Sequence, residues 1–363
     1  MPDADTAPFA PALLAWYDRA AADLPWRRSG DPYHIWLSEI MLQQTQVETV
    51  IPYYERFLAA FPTVEALAAA PLAAVLKLWE GLGYYSRARS LHRAARIVVS
   101  DLGGRLPTTA DGLRQLPGIG PYTAGAVASI AFGQRVPVLD GNVIRVFARL
   151  TDLDADVSQP QVRADLWALA ARWLPAERPG DYNQALMELG RTVCKPRAPL
   201  CESCPLQTHC RACAAGTQAS RPVKARRAPI PHYDVTAGLI WNASGRLLIA
   251  QRPLDGLLGG LWEFPGGKRE PGETLEDCLR RELREELAIE VEVGELFTVV
   301  RHAFTHFKIT LHAFSCRYVS GPPQAIGARA WAWAAPEQLD AYTFGRADRE
   351  VIAALRARRH MLL

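Results

Sequence analysis

Residues 116–145, LPGIGPYTAGAVASIAFGQRVPVLDGNVIR, restrict what this chain can fold into more than any other stretch. A short turn, Pro117-Gly118-Ile119-Gly120, separates a helical run over Ala110 to Leu116 from a small-residue helix over Pro121 to Phe132. Glycine has no Cβ, so positions 118 and 120 are open to positive φ and to close approach by another backbone. Such a turn, feeding a helix N-terminus, offers bare N–H groups to an anion such as a nucleic-acid phosphate. Asp140 follows at the start of the next helix. A phosphate-gripping turn with a carboxylate one helix away points to chemistry on nucleic acid. A plain helix–helix corner followed by an N-capping aspartate accounts for the same residues.

At 363 residues the chain is long enough for two or three domains. Its 49% hydrophobic and 22% charged content is that of a globular protein. No run approaches membrane-spanning length, and the N-terminal MPDADTAPFAP is acidic and broken by proline, so a cytoplasmic protein without membrane contact is expected. The net charge of +3 is unevenly placed. Residues 1–213 hold 21 basic and 21 acidic side chains, residues 214–232 four basic and none acidic, and residues 233–363 16 against 17. The excess sits in a linker, so affinity for nucleic acid has to come from local patches. The predicted organisation is a helical part over 1–213, a basic linker over 214–232 and a different domain over 233–363.

Along the helical part, Phe9 to Asp23 is amphipathic, with Leu13, Trp16, Tyr17 and Ala20 on one face. Trp26-Arg27 follows a proline break and pairs a stacking ring with a forked hydrogen-bond donor. His34 to Phe61 reads as two helices around Glu39, which is flanked by Trp36, Leu37, Ile40, Met41 and Leu42. A carboxylic acid in that company is desolvated, which favours its proton-carrying form; a partly exposed helix glutamate is the plainer reading. With Asp140 in the same fold, two carboxylates in unlike surroundings can divide acid and electrostatic roles. Gln43, Gln44 and Thr45 are uncharged hydrogen-bonders suited to a minor groove. Gly81-Leu82-Gly83-Tyr84-Tyr85 is a tight aromatic loop followed by Arg87, Arg89, Arg93 and Arg96 at helical spacing, either a wedge beside phosphates or a solvated face. Residues 150–193 read as helical, with Trp167 and Trp173 buried.

Cys194, Cys201, Cys204 and Cys210 stand at C-x6-C-x2-C-x5-C, enough for one metal centre, zinc or iron–sulfur. Beyond the linker, two β-like runs flank Asn242-Ala243-Ser244-Gly245, a hairpin signal. Glu282, Glu285 and Glu286 share a helical face by their spacing, as a magnesium-binding face or as part of a Glu–Arg-laced helix.

The motif Leu116-Pro117-Gly118-Ile119-Gly120 with Asp140-Gly141-Asn142 resembles the helix-hairpin-helix–Gly/Pro–Asp signature of base-excision DNA glycosylases. Lyase members have a lysine where this chain has Tyr122, and residues 1–213 contain only Lys77 and Lys195. Pro121-Tyr122 is similar to the monofunctional, adenine-specific MutY branch. Gly267 to Ile289 resembles a Nudix box, with Ala288 in the place of its usual glycine, and Phe304-Thr305-His306 resembles the lesion-reading loop of MutY proteins with threonine for serine.

The resemblance implies a multidomain fold: an all-α helix-hairpin-helix glycosylase core with an iron–sulfur cluster loop over 194–210, plus an α+β Nudix-like domain that reads 8-oxoguanine. It implies excision of adenine from A:8-oxoguanine or A:G pairs in double-stranded DNA, by a monomer. Glu39 is then the acid that protonates N7 of the base and Asp140 the stabiliser of the sugar cation, by a covalent step before water attacks, with Tyr122 and Asn142 orienting Asp140 and the sugar. Trp26, Arg27, Leu42 and Gln184 fall in the adenine pocket. Gln44, Thr45, Leu116, Gly118 and Gly120 fall on the DNA, Tyr84 between its bases, and Phe304, Thr305 and His306 at the lesion. One 4Fe–4S cluster is held by Cys194, Cys201, Cys204 and Cys210, with Cys213 a bystander. The rivals are an endonuclease III-like pyrimidine glycosylase/lyase and a nucleotide pyrophosphohydrolase acting through the Nudix box.

Overall fold

A computed structural model of the chain describes residues 7–225 and 229–360. They fall into two compact units, Met1–Ala69 with Ser90–Arg227, and Ala70–Arg89 with Ala228–Leu363.

The first unit is helical: α1 (Ala10–Ala20), α2 (Pro32–Leu42), α3 (Val47–Ala60) and α4 (Val64–Ala69), then, beyond α5 (Leu72–Leu78), α6 (Ser86–Asp101), α7 (Ala110–Arg114), α8 (Pro121–Phe132), α9 (Gly141–Leu150), α10 (Pro160–Trp173), α11 (Pro179–Thr192) and α12 (Arg211–Ala215). Proline sits in the first turn of α2 and α8, where its missing N–H costs nothing. Asp31 caps α2 through Tyr33 N, and α8 ends on Gly133 in the left-handed region. Both helices are apolar nearly all round and are correspondingly buried, with α9 and α11 packed beside them. Trp167 and Trp173 are only half-buried, because they stand at the rim where α10 leans on this core.

The second unit is α+β. Its sheet contains β1 (His232–Trp241), β2 (Leu247–Gln251), β3 (Trp262–Glu263), β4 (Glu290–Ala303), β5 (Lys308–Ser320) and β6 (Ala330–Ala334), in the order β3-β2-β1-β5-β4 with β6 also on β2. Only the β1–β5 pair is parallel. The β1–β2 hairpin turns at Asn242, whose Oδ1 accepts from Ser244 N and Arg246 N. One sheet face is covered by α14 (Arg346–His360) over Leu239, Leu311 and Val300; the other by α13 (Leu275–Leu287) over Ile240, Phe314 and Cys316.

Two stretches group differently from their place in the sequence. Residues 70–89 belong with the C-terminal unit, because Lys77 Nζ donates to Tyr342 O, Glu80 Oε1 accepts from Phe344 N, and Arg89 Nη1 donates to Gly259 O. The first half of the expected linker is packed on the helical unit: Arg221 pairs with Asp152, and Val157 N donates to Val223 O. Arg226 and Arg227, part of the basic run, lie outside the described residues.

Helix α13 ends on Ala288, at φ 54° in the left-handed region, with Ala288 N donating to Arg284 O. An L-residue there costs about 1–2 kcal/mol, while glycine costs about 0.5–1 kcal/mol in backbone entropy. Ala288→Gly is therefore expected to stabilise this unit by roughly 0.5–1 kcal/mol, read as a higher denaturation midpoint. A lower midpoint would show that the methyl group's packing outweighs the relief.

Candidate active site

One cavity of about 520 Å³ in the helical unit brings together α2, α8, α11 and the start of α9. Glu39 projects from the middle of α2 and is 5% exposed, as its apolar neighbours require. Tyr122, in the first turn of α8, donates its hydroxyl hydrogen to Glu39 Oε2 at 2.7 Å. Burial raises the Glu39 carboxyl to about 7; the Tyr122 bond and Arg27 pull against that shift, while the charge of Asp140 adds to it.

Asp140 caps α9. Its Oδ1 accepts from Val143 N at 2.7 Å and its Oδ2 from Asn142 Nδ2 at 2.9 Å. It also lines the cavity. One carboxylate thus both caps α9 and lines the cavity. Burial pushes its pKa up, and the bonds from Val143 and Asn142 oppose this. The two carboxylates differ in their partners: Glu39 has a phenol, Asp140 a backbone N–H and an amide. Asn142 holds Asp140 as expected, but the Tyr122 hydroxyl is spent on Glu39 and not on Asp140.

Trp26, Arg27, Leu42, Thr45 and Gln184 line the same cavity. Trp26 packs edge-on against Tyr54, with centroids 5.4 Å apart. Arg27 Nη2 is held by Glu188 Oε2 at 3.0 Å, and Glu188, 2% exposed, also takes Arg191 at 2.6 Å. Met187 Sδ lies 3.1 Å from the Tyr122 hydroxyl. Glu188, Arg191 and Met187 were not anticipated. Their signal was present in the sequence, because 184, 187, 188 and 191 mark one helical face.

A second guanidinium ties this site to the cysteines. Arg145 Nη2 donates to Asn142 Oδ1 at 2.8 Å and to Gly190 O at 2.7 Å, while its Nε donates to Cys194 O at 2.7 Å. Gly190 is required at this contact, since a Cβ there would lie 2.6 Å from Asn142 Cβ. Cys194, Cys201, Cys204 and Cys210 line one small cavity together with Cys213 and Arg149, whose Nη1 donates to Cys194 Sγ at 3.2 Å. Among the described residues no three His, Cys, Asp or Glu side chains already stand as an ion's ligands. The donor set, sulfur without carboxylate or imidazole and with a guanidinium alongside, fits an anionic thiolate-bound cluster. Cys213 is not remote from the four but shares their cavity.

The residues expected on DNA are divided. Gly118 is exposed at φ 81°, and a Cβ there would meet Ser90 Cβ at 2.6 Å. Gly120 is exposed but extended (φ −88°), so positive φ is used at 118 alone. Leu116 is 3% exposed, its side chain committed to the core and unavailable to DNA. Gln43 turns inward to Thr123 Oγ1, leaving Gln44 exposed at φ 57°. In the other unit Tyr84 is exposed at φ 47°, and its hydroxyl lies 2.8 Å from Thr305 Oγ1. Phe304 packs on Phe307 and into the core, so Thr305 and His306 form the exposed tip. The arginine row is broken, with Arg87 and Arg89 bonded to the backbone carbonyls of Gly83 and Gly259 and only Arg93 and Arg96 exposed. On α13, Arg281 occupies Glu273, Glu282 and Glu285, and burial lifts Glu286 to about 7.

The Tyr122 bond favours ionised Glu39, so removing it raises the carboxyl's pKa further. In Tyr122→Phe the Glu39 titration, followed by carboxyl carbon NMR, is expected to move above about 7. A midpoint that stays or falls would show that this bond does not act on Glu39.

The model of the HhH-GPD superfamily of base excision DNA repair proteins matches residues 37–172, and that of the NUDIX domain matches residues 236–354. The adenine DNA glycosylase of Homo sapiens is 42% identical over 371 residues, covering 86% of this chain and 67% of the relative. That of Rattus norvegicus is 41% identical over 387 residues, covering 91% and 75%. Among solved structures, a thermostable thymine-DNA glycosylase superposes with a TM-score of 0.52 at 31% identity, over 57% of this chain and 95% of its own. The sequence relatives, with 86% and 91% of this chain covered, run through both units. The chain is a DNA glycosylase, and it belongs to the adenine DNA glycosylase family.

Proposed function

We propose that this glycosylase hydrolyses the N-glycosidic bond of adenine paired with 8-oxoguanine or guanine, leaving an abasic site in an unbroken strand. The observation that supports this most is the single cavity holding Glu39, poised to keep a proton near neutral pH, and the hydrogen-bonded Asp140. The adenine leaves the base stack to enter this cavity, with Trp26, Arg27, Leu42 and Gln184 around it. Glu39 gives its proton to N7, the C1′–N9 bond breaks and its electron pair goes to the base. Asp140 meets the positive charge on the sugar, in the manner of paired carboxylates in glycosidases, before water attacks C1′. Tyr122 in the lysine's place supports hydrolysis without lyase chemistry. Thr305 and His306 distinguish 8-oxoguanine by hydrogen bonds at N7–H and O8, with Tyr84 beside them.

Single-turnover excision from A:8-oxoguanine and A:G duplexes tests this reading. Asp140→Asn is expected to lose at least roughly 10²–10⁴-fold in rate. Thr305→Ala with His306→Ala should keep excision but narrow the preference for A:8-oxoguanine, each lost contact costing about 1–3 kcal/mol. Strand cleavage without alkali, or near-normal excision by Asp140→Asn, would overturn the assignment.

One 4Fe–4S cluster fits Cys194, Cys201, Cys204 and Cys210. When bound it supplies cross-links that stabilise the 194–210 loop. Anaerobically purified protein is expected to carry iron and sulfide with broad visible absorbance. A stoichiometric zinc without iron would refute this.

A further inference from the structure

The sheet face covered by α13 continues past that helix to the strand ends beside the 304–307 turn. Register places the residues there: His232 opposite Lys308, Asp234 opposite Thr310, and on the neighbouring strand Arg301 opposite Thr310 and Ala303 opposite Lys308. Residues paired across strands point to the same side, and the register continues to Phe314 and Cys316, which lie under α13. At this end His232, Arg301 and Lys308 are all exposed.

Its charge is one-sided. The acid present, Asp234, is taken by Arg269 at 3.0 Å and approached by His312 at 3.2 Å. Among the described residues, the Arg301 and Lys308 side chains have neither an ion pair nor a hydrogen bond. Elsewhere in the same unit Arg281, Arg284 and Arg317 each rest on a glutamate. Arg301 and Lys308 are diagonal neighbours, about 7–8 Å apart at their Cα atoms, which lets the two long side chains reach adjacent phosphates of one strand.

We infer that this open sheet end, Arg301 and Lys308 with His232 beside them, is a contact surface for the phosphate backbone of duplex DNA, flanking the 304–306 tip. The inference rests on the proposed lesion-reading role of Thr305 and His306. A tip that enters a groove brings the groove's phosphate edges against the strands that bear it. Phosphate contacts fix register without reading sequence, so this surface holds the lesion-reading side chains in position and leaves discrimination to them.

The test is duplex binding by full-length protein in an Asp140→Asn background, on A:8-oxoguanine and undamaged duplexes, from about 50 to 200 mM salt. Arg301→Gln with Lys308→Gln should weaken both complexes alike and flatten the plot of log affinity against log salt by about 2, since each phosphate contact contributes about 0.9. Arg301→Gln alone should give about half that change. Arg317→Gln, the same charge loss at the far end of β5, should leave the slope unaltered. An unaltered slope in the double variant overturns the proposal, as does an equal change in Arg317→Gln. Thr305→Ala with His306→Ala should keep the slope and lose the lesion preference. If that preference survives while the Arg301/Lys308 slope falls, the backbone contact stands and the lesion-reading role fails.

Discussion

The guanidinium of Arg145 ties the start of α9, the end of α11 and the first cysteine of the 194–210 loop to one another. It is almost fully buried and makes four hydrogen bonds, to Asn142, Gly190, Cys194 and the carbonyl of Gly141 in its own helix. Burying that charge lowers its pKa, and only a full set of acceptors makes the burial tolerable. The consequence is geometric. Asn142 is gripped on one side by Arg145 and grips Asp140 on the other, while the same guanidinium holds the backbone of the first cysteine. Glycine at 190 lets α11 come close enough to α9 for the bonds to form. The position of the Asp140 carboxylate and that of the cysteine loop are therefore two outputs of one packing solution.

The two carboxylates show how one cavity gives two acids unlike surroundings. Glu39 arises from a helix that is apolar nearly all round, so the cost of its charge is set by what surrounds α2. Asp140 stands at a helix N-terminus, where a backbone N–H and the positive end of the helix dipole favour the anion. Neither environment is peculiar to catalysis. A buried helix and a capped helix start are common, and it is their meeting across one pocket that is not.

Much of this was legible beforehand because it is local. The hairpin turn, the cap at Asp140, the apolar neighbours of Glu39, the cysteine spacing and the Asn242 turn are each determined by residues within a helical turn or two. What was misjudged depends on long-range partners. Whether Tyr122 meets Glu39 or Asp140 is decided by how α8 crosses α2, and whether Arg87 and Arg89 face solvent is decided by carbonyls in loops. Leu116 looked available because it opens the hairpin, yet the same turn needs an apolar anchor beneath it. Glu188 was missed because its place on the helical face of Gln184 does not by itself name its partner, Arg27, 161 positions away.

Residues 70–89 give the C-terminal unit a piece of chain from the middle of the glycosylase sequence. Tyr84 is part of that piece, and its hydroxyl rests on Thr305. A gene fragment cut at the apparent linker would therefore sever a folded unit and not separate two. The aromatic loop would keep its own hydrogen bonds, from Trp79 to Gly83 O and from Gly81 N to the Tyr85 hydroxyl, but lose the Thr305 contact at its tip. Deletions or exchanges that respect the linear map would therefore cut across the unit that residues 70–89 share with the C-terminal strands.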